Sequence, residues 1–205
     1  MLLFVDLYLY YRLIAMGLPG SFMGKIYETI TDRLAEFIEA QHMFFVATAP
    51  KKEDGLVNVS PKGYDSFRIL GPRQVGYLDM TGSGVETIAH VKENGRLTIM
   101  FVAFEGRALI LRLYGNARVY EPGDEGYEEL LAEFPEFPGT RSIIVSDLFR
   151  IADSCGWSIP FYEYQKERPQ LIRYADSFDE EGLLQKHRDN CSESLEGLVG
   201  VKPDL

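Results

Sequence analysis

The sequence predicts a mainly β, α+β domain: an antiparallel sheet closed into a small barrel with helices packed outside. Three observations carry this. Short β-type runs are joined by hairpin-sized turns, Asp54-Gly55 in the first and Gly71-Pro72-Arg73 in the second. Two long β-type runs, over residues 97–104 and 110–120, follow each other with only a short connection. Helical stretches are few and stand between strand pairs, so the chain lacks the strand-helix alternation of a parallel sheet.

Each element has its own signal. Ile26, Ile30, Leu34, Phe37 and Ile38 recur at helical spacing with Glu28, Asp32, Arg33, Glu36 and Glu39 between them, which predicts an amphipathic helix over 25–41. Residues 43–49 are a short apolar run rich in β-formers and read as a buried strand. Lys51 to Gly55 is a polar turn, and Leu56, Val57 and Val59 form the return strand, ending at Ser60-Pro61-Lys62-Gly63. Residues 67–70 and 74–80 make a second strand pair. After Thr81-Gly82-Ser83-Gly84 comes a helix over 84–94, with Val85, Ile88, Ala89 and Val91 on its apolar face and Gly95 at C′. In the run 110–120, Arg112, Tyr114, Asn116 and Arg118 alternate with apolar or small residues. Residues 121–136 hold seven acids and no base, around a short surface helix at 124–133. Residues 142–151 read as a last strand or a mixed segment, and 152–172 as irregular and aromatic. Ser177 and Glu180 have capping-box spacing ahead of a C-terminal helix over 178–190.

Composition bounds the function. The 205 residues suit one domain, and 46% hydrophobic with 25% charged residues is the balance of a globular protein. Lys and Arg number 21 against 31 Asp and Glu, a net charge of −10, which disfavours nucleic acid as a partner because polyanion binding requires phosphate neutralisation. Thirteen Phe, twelve Tyr and one Trp are too many for a disordered acidic chain. Two cysteines, Cys155 and Cys191, exclude a disulfide scaffold and a Cys-cluster zinc site and fit a reducing, cytoplasmic compartment.

The first 22 residues are apolar, yet Asp6 and Arg12 argue against a membrane span, and no basic start precedes an uncharged run as a secretory signal requires. Met23-Gly24-Lys25 opens the first helical pattern, so residues 1–22 read as an extension outside the fold and 23–205 as a single domain. A membrane-associating arm is the alternative.

Hydrolytic and nucleotide-triphosphate motifs are absent from the sequence. His42 reads as a boundary residue, and His90 as a solvated residue on the exposed face of its helix. His187 and Cys191 share a helix face, where packing outweighs a two-ligand metal site, so no metal is expected. The most informative segment is 79–87: a strand, a tight glycine turn and a helix start. Free N–H groups and the helix dipole there favour an anion, with Thr81, Ser83 and Thr87 adding hydroxyls. The competing reading is a capping box of Ser83 and Glu86 that satisfies those N–H groups without a ligand. Gly82-x-Gly84 also begins a dinucleotide fingerprint, but Thr87 stands where its last glycine would be. Ser60 and Lys62, two apart at a strand end, point to one face. One lysine, several hydroxyls and a helix start together make a cradle for a phosphomonoester.

Several ordered segments carry a family resemblance: Asn58 to Gly63, Asp65 to Arg68, Tyr77 to Gly84, Glu86 to His90, Glu93 to Arg96, Leu111 to Gly115, Ser154 to Pro160 and Ser194 to Leu198. Over about residues 25–200 the chain resembles the pyridoxamine 5′-phosphate oxidase-like FMN-binding split barrels, in their predicted flavin-nucleotide-binding branch. The resemblance implies a six-stranded antiparallel split β-barrel with flanking helices. It also implies a homodimer, FMN in a cleft between subunits and an oxidoreductase of unknown substrate. Lys62 matches the family's phosphate-binding basic residue. Of a Tyr-Thr pair only Thr81 is retained, the first place being Met80. Glu86 and Thr87 replace an Arg-Lys pair, removing two positive charges. This either weakens the phosphate site or moves its work to Ser60, Ser83 and Arg68 or Arg112. The oxidase's C-terminal Arg-x-His substrate motif is missing. Trp157 and the aromatic residues after it either cover the flavin or fill a core under a loop. The expected cofactor residues are therefore Ser60, Lys62, Thr81, Ser83, Thr87, Arg112 and Trp157. The expected partners are a second copy of the chain and a small-molecule electron donor or acceptor, with no nucleic acid and no membrane span. A non-catalytic flavin-binding or interaction protein of the same fold is the alternative.

Overall fold

The computed structural model of the chain describes residues 24–202, so the expected extension over 1–22 lies outside the described residues. In chain order the strands are β1 (Ile26–Tyr27), β2 (Phe44–Thr48), β3 (Asn58–Lys62), β4 (Phe67–Gly71), β5 (Gln74–Met80), β6 (Arg96–Val102), β7 (Ile110–Tyr120) and β8 (Thr140–Ser154). The helices are α1 (Asp32–Glu39), α2 (Glu86–Asn94), α3 (Tyr127–Leu131), α4 (Gln170–Ala175) and α5 (Glu180–Cys191).

All strands belong to one antiparallel sheet in the order β3-β2-β6-β7-β8-β5-β4, with β1 added along β8. The fold is mainly β, a split barrel whose sheet stays open at β3 and β4. Among the described residues the expected six strands become eight: β1 joins β8, and both ends of the path pair as full strands. The sheet curls until β4, at one end, reaches β2 and β6 through side chains. Phe67 of β4 meets Phe44 of β2 with ring centroids 5.2 Å apart and Phe101 of β6 at 5.0 Å. Aromatic burial thus closes the barrel where the hydrogen-bond ladder does not. The interior is filled by Val46, Val75, Tyr77, Ile99, Leu111, Leu113, Ile144 and Ile151, with Ile88 of α2 and Leu34 and Ile38 of α1 packed against it. A second cluster of Leu78, Tyr127, Phe134, Ile143 and Val145 lies under α3.

The helix expected over 25–41 begins only at Asp32. Residues 25–27 run along β8 instead, because Asp153 accepts from the Lys25 N–H and the Tyr27 hydroxyl, both at 2.6 Å. These tertiary bonds outweigh the helical spacing of Ile26 and Ile30. Neither expected capping box forms. Val85 is the N-cap of α2, without a side-chain bond to the helix. Asp179, not Ser177, caps α5 by accepting from Gly182 N–H at 2.8 Å. Gly95 does end α2 in the left-handed region, at φ 71°. The segment at 142–151, expected as a last strand or a mixed segment, is a strand, the longest among the described residues, and pairs with β7, β5 and β1. Among the described residues no helix is long and apolar enough to cross a membrane.

Candidate functional site

The ends of β3 and β5, the turn into α2, the start of β8 and the irregular segment before α4 surround a cleft of about 960 Å³. Beneath the cleft lies Asp79, the one charged residue in a strand that is otherwise nearly all core. Lys62 Nζ donates to Asp79 Oδ1 at 2.8 Å, and Arg141 Nε to Oδ2 at 2.6 Å. Burial alone would raise the Asp79 carboxyl; the Lys62 and Arg141 charges overcome this and hold it at about 2, below its ordinary 3.8. For Arg141, burial works against the charge, and Asp79 more than compensates.

Arg141 was not singled out in the sequence. No motif surrounds it, and its role depends on β8 lying beside β5. Its guanidinium reaches three further elements of the site: Asp79, the Gly84 carbonyl at 2.7 Å and Cys191 Sγ at 2.9 Å. Cys191 in turn lies 3.6 Å from the Gly82 carbonyl. Burial pushes the Cys191 thiol up, against the pull of Arg141, so it stays protonated and donates. The turn 82–84 is therefore held from beneath by Arg141 and Cys191.

Ser60, Lys62, Thr81, Ser83 and Thr87 all line the cleft, as expected of one site, whereas Arg112 and Trp157 do not. Arg112 lies on β7 and donates to Ser154 Oγ at 2.9 Å. Trp157 is 71% and Phe161 80% exposed, so neither fills a core under the loop. Arg68 is turned to Asp65, at 2.6 Å, and is not a cleft residue. Thr81 has a different task from the expected one. Its hydroxyl donates to the Gly139 carbonyl at 2.8 Å and faces His187 Nε2 at 2.7 Å. Burial and then the Arg141 charge lower His187; with the Thr81 hydrogen given to the Gly139 carbonyl, Nε2 is the donor of the second pair and Thr81 has no hydrogen left for a ligand. His187 and Cys191 are thus buried supports of the cleft from α5, and no cluster of three metal-ligating side chains occurs among the described residues. His90 is not solvated: it has no exposed surface and bonds Thr48 and Glu196.

The outer wall comes from the segment before α4. Tyr164 stacks on His42 with centroids 3.6 Å apart, and Tyr64, at φ 59°, donates its hydroxyl to the Arg168 carbonyl. Lys166, Glu167 and Arg168 line the cleft beside them. Four cations, Lys62, Arg141, Lys166 and Arg168, therefore face two lining carboxylates, Glu86 and Glu167, with Asp79 below. The cleft is locally positive in a chain whose net charge is −10.

The profile of the pyridoxamine 5′-phosphate oxidase family matches residues 30–147. The pyridoxamine 5′-phosphate oxidase family protein ustO of Aspergillus flavus is 35% identical over 196 residues, covering 87% of this chain and 78% of that protein. Solved structures are more distant. Group A Streptococcus HupZ has 24% identity and a TM-score of 0.47, covering 60% of this chain and 91% of that chain. An FMN-binding protein from Syntrophomonas wolfei has 16% identity and a TM-score of 0.42, covering 58% of this chain and 81% of that chain. By the extent of the profile match and the identity to ustO, the chain belongs to the pyridoxamine 5′-phosphate oxidase family.

Proposed function

We propose that the cleft binds FMN and that the chain works as a homodimeric, FMN-dependent oxidoreductase. The observation that carries this reading is the arrangement of Lys62 and Arg141 on Asp79. Two cations share one carboxylate, and each keeps N–H groups that Asp79, Cys191 and Gly84 do not use. A phosphate dianion calls for such donors. The first N–H groups of α2, which has no side-chain cap, lie beside them. The Ser83 and Thr87 hydroxyls complete the cradle at the phosphate end. Glu86 stands in the same wall and opposes an anion, the consequence of the Arg-Lys pair being replaced. The volume of about 960 Å³ is at the upper end of the ~300–1,000 Å³ of small-molecule sites.

When bound, FMN supplies the redox chemistry. The chain's own residues hold the phosphate, orient the ring and limit water, the last through the Tyr164–His42 wall. The electron partner is a small molecule. The missing Arg-x-His motif argues against pyridoxamine phosphate as that partner.

A visible spectrum of the purified protein, with chromatography of what heat releases, tests the reading. Yellow protein releasing FMN is expected. Colourless protein that takes up no added FMN overturns it. Reduction of the bound flavin by NADH or NADPH and reoxidation by an acceptor separates the oxidoreductase from a flavin carrier.

A further inference from the structure

Glu196 stands at the far end of a buried line of polar side chains that ends in the cleft. Its carboxylate accepts from the Leu56 N–H at 3.2 Å and the Ser194 hydroxyl at 3.1 Å, and it faces His90 Nε2 at 3.3 Å. On the other side of the ring, His90 Nδ1 is 3.0 Å from Thr48 Oγ1. Thr48 Oγ1 is 3.1 Å from Asn58 Nδ2, which is also 2.9 Å from Thr87 Oγ1. The Asn58 carbonyl oxygen is 3.1 Å from Ser60 Oγ. Thr48, His90 and Thr87 are buried, and only Ser60 and Thr87 of this line reach the cleft.

The direction of every bond follows from the number of protons each group carries. The Glu196 carboxylate only accepts, so a His90 ring with a single proton holds it on Nε2 and accepts at Nδ1. The single hydroxyl hydrogen of Thr48 goes to Nδ1, and Thr48 can then only accept from Asn58. This sets the Asn58 amide, with NH₂ toward Thr48 and Thr87 and oxygen toward Ser60. Thr87 accepts from Asn58, and its own hydrogen is left for the cleft. Ser60 donates to Asn58 and offers the cleft lone pairs, which suits a ligand hydroxyl and not a phosphate.

We propose that Asn58 is a positioning residue for anion binding: the Glu196–His90–Thr48 relay orients its amide so that Thr87 is an obligate donor to the phosphate of FMN. The proposal rests on the reading of the cleft as an FMN site. A phosphate dianion can only accept, so a Thr87 turned the other way would oppose it with a lone pair. The relay begins at Glu196, outside the segment 30–147 that the family profile matches.

Two measurements on the full chain test this separately. Nitrogen-15 NMR of the histidines is expected to show His90 as the Nε2–H tautomer; an Nδ1–H or doubly protonated ring overturns the relay whether or not flavin binds. FMN and riboflavin affinities are then compared for the native chain, Asn58→Leu, Thr87→Val, their double variant and Thr87→Ser. The native chain should prefer FMN. Asn58→Leu and Thr87→Val should each lose about tenfold in FMN affinity, the scale of one charge-assisted hydrogen bond, with riboflavin binding unchanged. The double variant should lose no more than either alone, and Thr87→Ser should keep the native value. Should Asn58→Leu not fold, Thr48→Val breaks the relay one step farther from the cleft and carries the same expectation. Losses that multiply, or that fall equally on FMN and riboflavin, overturn the positioning role. A native chain with no preference for FMN over riboflavin overturns the phosphate site itself, and with it the purpose of the relay, without any variant being needed.

Discussion

Asp79 is fully buried and still charged, which is possible only because Lys62 and Arg141 bind its two oxygens. Its carboxyl is held at about 2 in the fold against an ordinary 3.8. The folded value is the lower one, so the unfolded chain binds the proton more readily. The stabilisation is therefore complete above pH 3.8, about 2 kcal/mol in size, and lost as pH falls from there through 2. Urea titrations at stepped pH should show this loss in the native chain, and Asp79→Asn should flatten it while destabilising the fold at neutral pH by about 3–5 kcal/mol. Lys62 serves both the fold and the ligand. Lys62→Ala should weaken FMN binding by about 1.5–3 kcal/mol, the scale for a hydrogen bond to a charged group, with a smaller effect on riboflavin. Unchanged FMN affinity in a calorimetric titration would move the anchor to Arg141.

At the scale of elements, the site depends on where strands stop. β3 ends at Lys62, β5 ends one residue after Asp79, and α2 begins at Glu86, so the groups meet at one end of the barrel. Two features keep them there. Gly95 turns the chain from α2 into β6 at φ 71°, and a Cβ there would lie 2.0 Å from Asn116 Oδ1. Gly95→Ala should destabilise by about 2 kcal/mol or more, the left-handed strain alone costing about 1–2, read as a lower urea midpoint. Phe101 packs on Phe67 and Phe44 across the interior. Phe101→Ala should cost about 3–5 kcal/mol and open the split between β4 and the β2–β6 side. Thermal melts with and without FMN would show whether that opening also loosens the cleft.

For the whole molecule, the exposed aromatic residues Trp157, Phe161 and Tyr162 lie on the same segment that walls the cleft through Tyr164. The proposed homodimer gives them a second copy to pack against. Light scattering should then return twice the mass of one chain, and Phe161→Ser should lower the dimer fraction more than it lowers the melting temperature of the monomer. A monomer at micromolar concentration that still binds FMN would remove the partner from the site. α5 ties the C-terminal part of the chain to the cleft through His187 and Cys191, so the barrel and its last helix form one cooperative support.

The sequence by itself determined the strand runs over 74–80 and 110–120, the helix before Gly95 and the antiparallel class. All of these are set by local chemistry: side-chain alternation, turn residues and a glycine C′. Only the tertiary structure decided the rest. Arg141 became a cleft residue because β8 lies beside β5. Residues 26–27 became a strand because Asp153 offered partners to the residues around them. His90, His187 and Thr81 each acquired their hydrogen-bond partners from residues dozens of positions away. Arg112, equally basic and on an equally regular strand, went elsewhere. Periodicity reports which face of an element is buried, but which charges share a cavity is set by strand order and register, and those are fixed only when the sheet curls and closes.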